Sequence, residues 1–298
     1  MKKIVLFITA LLIVSIGSAQ KHNIVNASIA LKHAKSAKGE EVLNHLTEAK
    51  QYIDEAFINP STSEEPKMWN YRSQIYLKIA MTKDQLIDQD AIFKATDAYL
   101  QCMQTDKKGR NIVRKWTSEE DLRNNLINCG LLLNNIAIKR IEEENFYGAI
   151  KCYDRISDII PYDLEDQLKR GNITKVTLIY SKFFAYQKLK DFSKSKELLQ
   201  ELINYNYNEP RIYKYMSDIY LEEDDMDNAL KYLSLGRDMF QDDQGLIIDE
   251  INLYIKLGRT AELIEKLTEA IELDPENETF YLSRGTIYDQ IDEFDNAR

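Results

Sequence analysis

Glycine and proline are scarce in this chain, ten and five residues out of 298. Few glycines leave few positions suited to left-handed backbone, and few prolines leave long stretches free to run as helix. No window alternates apolar and polar residues for long, so strands are not the main element. Histidine occurs only as His22, His33 and His45, and cysteine only as Cys102, Cys129 and Cys152. The cysteine spacing fits no zinc pattern, and an odd, sparse set is not a disulfide framework. Cys102 and Cys152 read instead as small apolar residues on helix faces. Gly-x-Ser-x-Gly, a phosphate-cradling glycine loop and His-Glu-x-x-His are all missing. The expectation is therefore no catalytic residue, no cofactor and no metal site. His33 and His45 could lie on adjacent helices, but as helix-surface histidines they read as solvated side chains.

Basic charge is also in deficit: 39 Lys and Arg against 49 Asp and Glu, a formal net charge of −10. An acidic chain repels phosphate backbones and anionic membrane surfaces, which argues against nucleic acid as a partner. The run Glu222-Glu223-Asp224-Asp225-x-Asp227 lacks the glycine and the final glutamate of a calcium loop. It reads as a solvated turn whose acids serve the next helix N-terminus.

Long apolar runs are missing after the first twenty residues. Within them, Lys2 and Lys3 precede the apolar stretch Ile4 to Ile16, broken only by Thr9 and Ser15. That stretch is shorter than the roughly 20 residues a spanning helix needs. Gly17-Ser18-Ala19 then supplies small residues for cleavage before Gln20. Residues 1–19 read as a secretory signal peptide. Its removal takes the charge to −12 and leaves no membrane segment. No cysteine for a lipid anchor lies near the cut, so the mature protein is expected in the periplasm or secreted.

The rest is rich in amphipathic helix, with apolar residues at i, i+3, i+4 and i+7. Tyr186, Tyr220, Tyr254 and Tyr288 recur every 34 residues. Phe192, Met226, Thr260 and Phe294 follow at the same period, as do Ser195, Ala229, Leu263 and Ala297. The copies are 176–209, 210–243, 244–277 and an incomplete 278–298. Upstream, 130–163 fits with Leu133, Ile136, Ala137, Phe146, Ala149, Tyr153 and Pro161. Glu250, Ile251 and Leu263 depart from the common pattern. Residues 20–107 carry a looser version, with Trp69, Ser73 and Tyr76 on one helix and Ala95, Tyr99 and Cys102 on its partner. Ala49, Ile53 and Ala56 mark an earlier helix, paired with one over roughly Asn23 to Ser36. Residues 108–129 form a linker and the start of a long helix, opened by a capping box at Ser118 and Asp121.

This period and these residues resemble the tetratricopeptide repeat family. The resemblance implies an all-α, right-handed superhelical solenoid of antiparallel helix pairs, helix A then helix B. One pair cannot bury its apolar face alone, so neighbours stack. It also implies a concave face lined by helix A, with exposed groove residues at repeat positions 2, 5, 9, 12 and 13. Positions 5 and 9 fall on Asn70 and Gln74, Asn134 and Ile138, Tyr180 and Phe184, Lys214 and Asp218, Ile248 and Asn252, then Leu282 and Thr286. Asn70, Gln74, Asn134, Tyr180, Phe184, Lys214, Asp218 and Asn252 are the candidate partner-binding set. Amides can satisfy a peptide backbone, and Tyr180 with Phe184 can anchor an apolar side chain or pack on the segment 164–175. The family's carboxylate clamp needs lysine at position 5 with asparagine at 9. Here Lys214 goes with Asp218 and Asn252 with Ile248, so that ligand is not implied.

The leading expectation is a non-enzymatic interaction scaffold that binds an extended peptide or a partner helix. A nutrient- or glycan-capturing outer-membrane component would instead carry an anchoring cysteine and a large insertion. The helical part of a longer enzyme is the third expectation. Arg298 falls one residue after Ala297, where a full repeat would run about a dozen residues more, so a fragment of a longer protein is expected.

Overall fold

A computed structural model describes residues 21–82, 87–293 and 295–296. The signal-peptide reading, Phe294 and Ala297 lie outside the described residues. Two compact units divide the chain, the first through Leu178 and the second from Ile179. Among the described residues both are helical, and the one extended pairing is an isolated bridge between Thr105 and Asn111.

The first unit begins with α1, residues 21–36, and α2, Glu40–Ile58. Ile24, Ala27, Ala30, Leu31 and Ala34 of α1 are buried, as are Leu46, Ala49, Ile53 and Ala56 of α2. This is the 3.6-residue stripe of a helix with one face in the core. Each fully buried leucine or isoleucine contributes about 1.5–3 kcal/mol. Then come α3, Pro66–Ala80, and α4, Ala91–Cys102, followed by α5, Glu119–Glu142, and α6, Phe146–Ile159. α3 packs on α4, and α5 on α6. Pro66 opens α3, where a missing N–H costs no hydrogen bond. Ser118 caps α5 by accepting from the backbone N–H of Asp121 at 3.0 Å, and its hydroxyl donates to the Asp121 carboxylate at 2.7 Å. The loop before α5 is tied down rather than loose. Asn111 donates from Nδ2 to the Cys102 carbonyl at 2.8 Å, and Val113 is fully buried.

After α6, a 3-10 turn over Ile160–Tyr162 leads to the short α7, Gln167–Arg170. The Asp163 carboxylate accepts from the backbone N–H groups of Gln167 and Leu168 at 2.7 and 2.8 Å. Leu168 is buried against Gly130, whose missing side chain makes room for it. Cys102, Cys129 and Cys152 are free and buried, as small apolar residues would be.

The helix α8, Lys175–Lys188, carries the boundary between the units. The second unit continues with α9, Phe192–Asn204, α10, Arg211–Glu222, α11, Met226–Met239, α12, Gln244–Leu257, α13, Thr260–Leu273, and α14, Glu278–Gln290. Each packs on the next from α9 to α14. Leu230, Leu233, Leu246, Ile247, Leu263 and Leu267 are among the core residues of the later pairs. Small residues let the backbones approach. A Cβ at Gly236 would lie 2.7 Å from Tyr213 Cβ. The acidic run is a turn, with Asp224 at φ 58° and Asp225 capping α11 through the N–H of Asn228.

Candidate functional site

The first-unit members of the groove set do not converge. Asn70 is a correction: it is only 1% exposed on α3, in the interior rather than on a groove face. α3 is covered by both α2 and α4, which turns the expected groove position into the interior. Its Nδ2 has no hydrogen-bond partner among the described residues. Gln74 is half-buried and accepts from Lys35 Nζ at 3.1 Å through Oε1. Asn134 is half-buried on α5, beside exposed Ile138. The His33 and His45 rings meet edge-on with centroids 5.3 Å apart.

In the second unit, Tyr180 packs against Phe183 and Tyr207, with both ring centroids at 6.0 Å. Burial and a hydrogen bond with Tyr215 push its phenol up to about 12. Phe184 remains 39% exposed, with Lys188 Nζ 5.3 Å from its ring centre. Tyr180 is thus engaged in an aromatic cluster, whereas Phe184 is available at the surface.

Lys214, Asp218 and Asn252 are brought together. They line one cleft of about 230 Å³ between α10 and α12, with Ser217, Asp249 and Lys256. The register follows from the repeat: equivalent faces of two successive A helices lie side by side. Lys214 Nζ is 3.0 Å from Asp249 and 3.5 Å from Asp218. Burial works against the Lys214 charge, but the hydrogen bond to Asp249 and the two carboxylates raise its pKa overall. The Asp218 carboxyl is also raised, first by burial, with Asp249 and Glu222 adding to it and Lys214 opposing.

Ser217 is the member that position rules hide. It occupies the small-residue position of the repeat and is 1% exposed, yet it lines the cleft. Its Oγ has no hydrogen-bond partner among the described residues. A buried hydroxyl left unpaired costs about 1–3 kcal/mol, so this group is a donor and acceptor in want of a partner. Asp249 was equally illegible, because its reach to Lys214 crosses from one repeat to the next. Ile248 and Ile255, 47% and 51% exposed on α12, add apolar surface to the same helix as Asn252. The arrangement offers a lysine, an amide, a hydroxyl and aliphatic faces, which suits non-covalent recognition of polar backbone.

No protein-family model and no curated protein sequence matches the chain. Among solved structures it is similar to the MamA protein, with a TM-score of 0.40 and 17% identity over 56% of this chain and 85% of that one. It is similar to yeast Tom70, with a TM-score of 0.38 and 15% identity over 91% of this chain and 58% of that one. It is also similar to a chain of Naa15/Naa10 bound to HypK-THB, with a TM-score of 0.40 and 12% identity over 90% of this chain and 39% of that one.

Proposed function

We propose that this tetratricopeptide-type repeat protein is a non-enzymatic scaffold that binds an extended segment of a partner protein on its A-helix face. The reading places it in the periplasm or outside the cell, on the strength of residues 1–19 as a signal peptide. The observation that carries the binding role is the cleft between α10 and α12. Groove residues from two successive repeats meet there around the unpartnered Ser217 hydroxyl.

An extended peptide brings a carbonyl and an N–H at every residue. Asn252 can satisfy both, and the Ser217 hydroxyl can donate to one carbonyl. The exposed Ile248 and Ile255 cover apolar side chains of such a peptide on either side. Scattered amides and aliphatics, without a nucleophile–base pair, fit recognition rather than reaction.

The test is a screen of the purified protein against a display library of unstructured peptides of about 12 residues, a length that spans successive repeats. Selected peptides should bind Ser217→Ala and Asn252→Ala several-fold more weakly than the parent protein. Thermal stability of Ser217→Ala should be equal or higher, because an unsatisfied buried hydroxyl is removed. Peptide binding that is indifferent to both substitutions would exclude this cleft as the site.

A further inference from the structure

Resting on that groove reading, we infer that the cleft between α10 and α12 receives the side-chain amide of an asparagine or glutamine of the bound peptide. Depth decides that the entering group is a side chain. Asn252 is an exposed lining residue, over which a peptide backbone can lie. Ser217 lines the same cleft at 1% exposure, and its Oγ has no hydrogen-bond partner among the described residues. The cleft, of about 230 Å³, suits one side chain and not a helix. A group that satisfies the Ser217 hydroxyl therefore reaches down from a backbone held above it.

The charges around the cleft select a neutral polar group. Lys214 and Lys256 are balanced there by Asp218 and Asp249. Lys214 Nζ is 3.0 Å from Asp249 and 3.5 Å from Asp218, so three of the four are already joined. A lysine or arginine entering here meets two lysines, and an aspartate or glutamate meets two aspartates, each a like-charge contact. A primary amide has no net charge, yet it offers an NH₂ donor and a carbonyl acceptor. A carboxylate has about four lone-pair sites, so Asp218 and Asp249 can hold Lys214 and still accept from the amide NH₂. The Ser217 hydroxyl donates to the amide carbonyl. A serine or threonine hydroxyl, one carbon from its backbone, is too short for this reach.

The floor of the cleft adds discrimination. Leu233 and Leu253 are buried, Leu221 is half-buried, and all three line it. In such surroundings a hydrogen bond is stronger, and a polar group left unpaired costs more, than in open water. An aliphatic side chain of the same length leaves Ser217 without a partner, so the site sorts side chains by hydrogen bonding more than by size.

The experiment takes the peptides selected on the purified protein and reads their preference position by position. The expected result is asparagine or glutamine enriched at one fixed register. In synthetic copies, replacing that residue by its isosteric acid or by norleucine should weaken binding about tenfold. Ser217→Ala should weaken the amide peptide several-fold and leave the norleucine peptide unchanged, a coupling that loss of structure alone does not produce. Circular dichroism establishes that the variant keeps its helicity. Peptides that depend on Ser217 or Asn252 but favour a hydroxyl, charged or aliphatic residue at that register would overturn this inference and leave the groove reading standing. Equal loss on Ser217→Ala with and without the amide would do the same. Failure to select any peptide that depends on Ser217 or Asn252 would overturn both.

Discussion

The backbone N–H of Asp225 donates to the carbonyl oxygen of Tyr220 at 2.8 Å, closing the turn between α10 and α11. The same bond joins Asp191 to Tyr186 at 3.0 Å, Arg259 to Tyr254 at 3.2 Å and Glu293 to Tyr288 at 2.9 Å. The residue just before each donor is left-handed: Lys190, Asp224, Gly258 and Asp292, with φ between 56° and 65°. This is a six-to-one helix-ending bond of the Schellman kind. The repeating tyrosines therefore mark a backbone turn as well as a packing position. Only one of these four left-handed residues is glycine.

Gly258→Ala should destabilise the second unit by about 1 kcal/mol, because alanine is strained at positive φ. Asp224→Gly and Lys190→Gly should be neutral or stabilising by a few tenths of a kcal/mol or more, since they relieve the same strain. Urea denaturation followed by circular dichroism ranks the three variants. Equal stability of Gly258→Ala and the parent would show that the turn tolerates a side chain.

Gly236→Ala should cost about 1–3 kcal/mol by overpacking. The added methyl group would lie 2.7 Å from Tyr213 Cβ and 3.1 Å from Leu246 Cδ1. Tyr213 Cβ is fixed to its backbone, so α10 itself must shift. Hydrogen exchange of α10 and α11 amides, faster than in the parent, is the expected readout.

Glu250 is 2% exposed, accepts from the Ser234 hydroxyl at 2.9 Å and lies 3.4 Å from Arg237 Nε. Glu250→Met leaves Arg237 without its counter-charge and should cost about 3 kcal/mol. Combining it with Arg237→Met should recover most of that loss, because both desolvated charges are removed. A double variant no more stable than the single one would contradict the pairing.

Asp54 accepts hydrogen bonds from Tyr76, Arg72 and Lys50, and Arg72 is stacked 4.0 Å from the centre of the Phe57 ring. Burial alone would raise the Asp54 carboxyl, but these three bonds and the Arg72 charge lower it overall. A depressed carboxyl contributes stability above its unfolded pKa of roughly 3.9, lost as pH falls through the folded value. Acid unfolding of the parent should therefore deepen below about pH 4, and Asp54→Asn should flatten that dependence while lowering stability at neutral pH. An unchanged acid limb in Asp54→Asn would remove Asp54 from the acid response.

The thiols of Cys102 and Cys129 are pushed up to about 12 by burial, and that of Cys152 is raised by burial too. At pH 8 an aromatic disulfide reagent should leave all three unmodified in the native protein and label them at the rate of unfolding. Rapid labelling without denaturant would show that one thiol is open to solvent.

Local information was enough for much of this molecule. The 3.6-residue stripes of α2 and α6, the Ser118 cap and the 34-residue period were readable, because a helix face and its ends depend on residues only a few positions apart. Of the candidate set read from repeat positions, Lys214, Asp218 and Asn252 share a cleft, because equivalent faces of stacked repeats adjoin. Packing between helices decided the rest. Asn70 holds a groove position by number, yet α2 and α4 enclose it. Glu250 was visible only as a departure from the pattern, and its burial beside Arg237 needed three helices in place. Asp249 reaches Lys214 only once α10 and α12 are side by side. Periodicity states which way a side chain points from its own helix; what it meets there depends on how closely and at what register the next helix is laid.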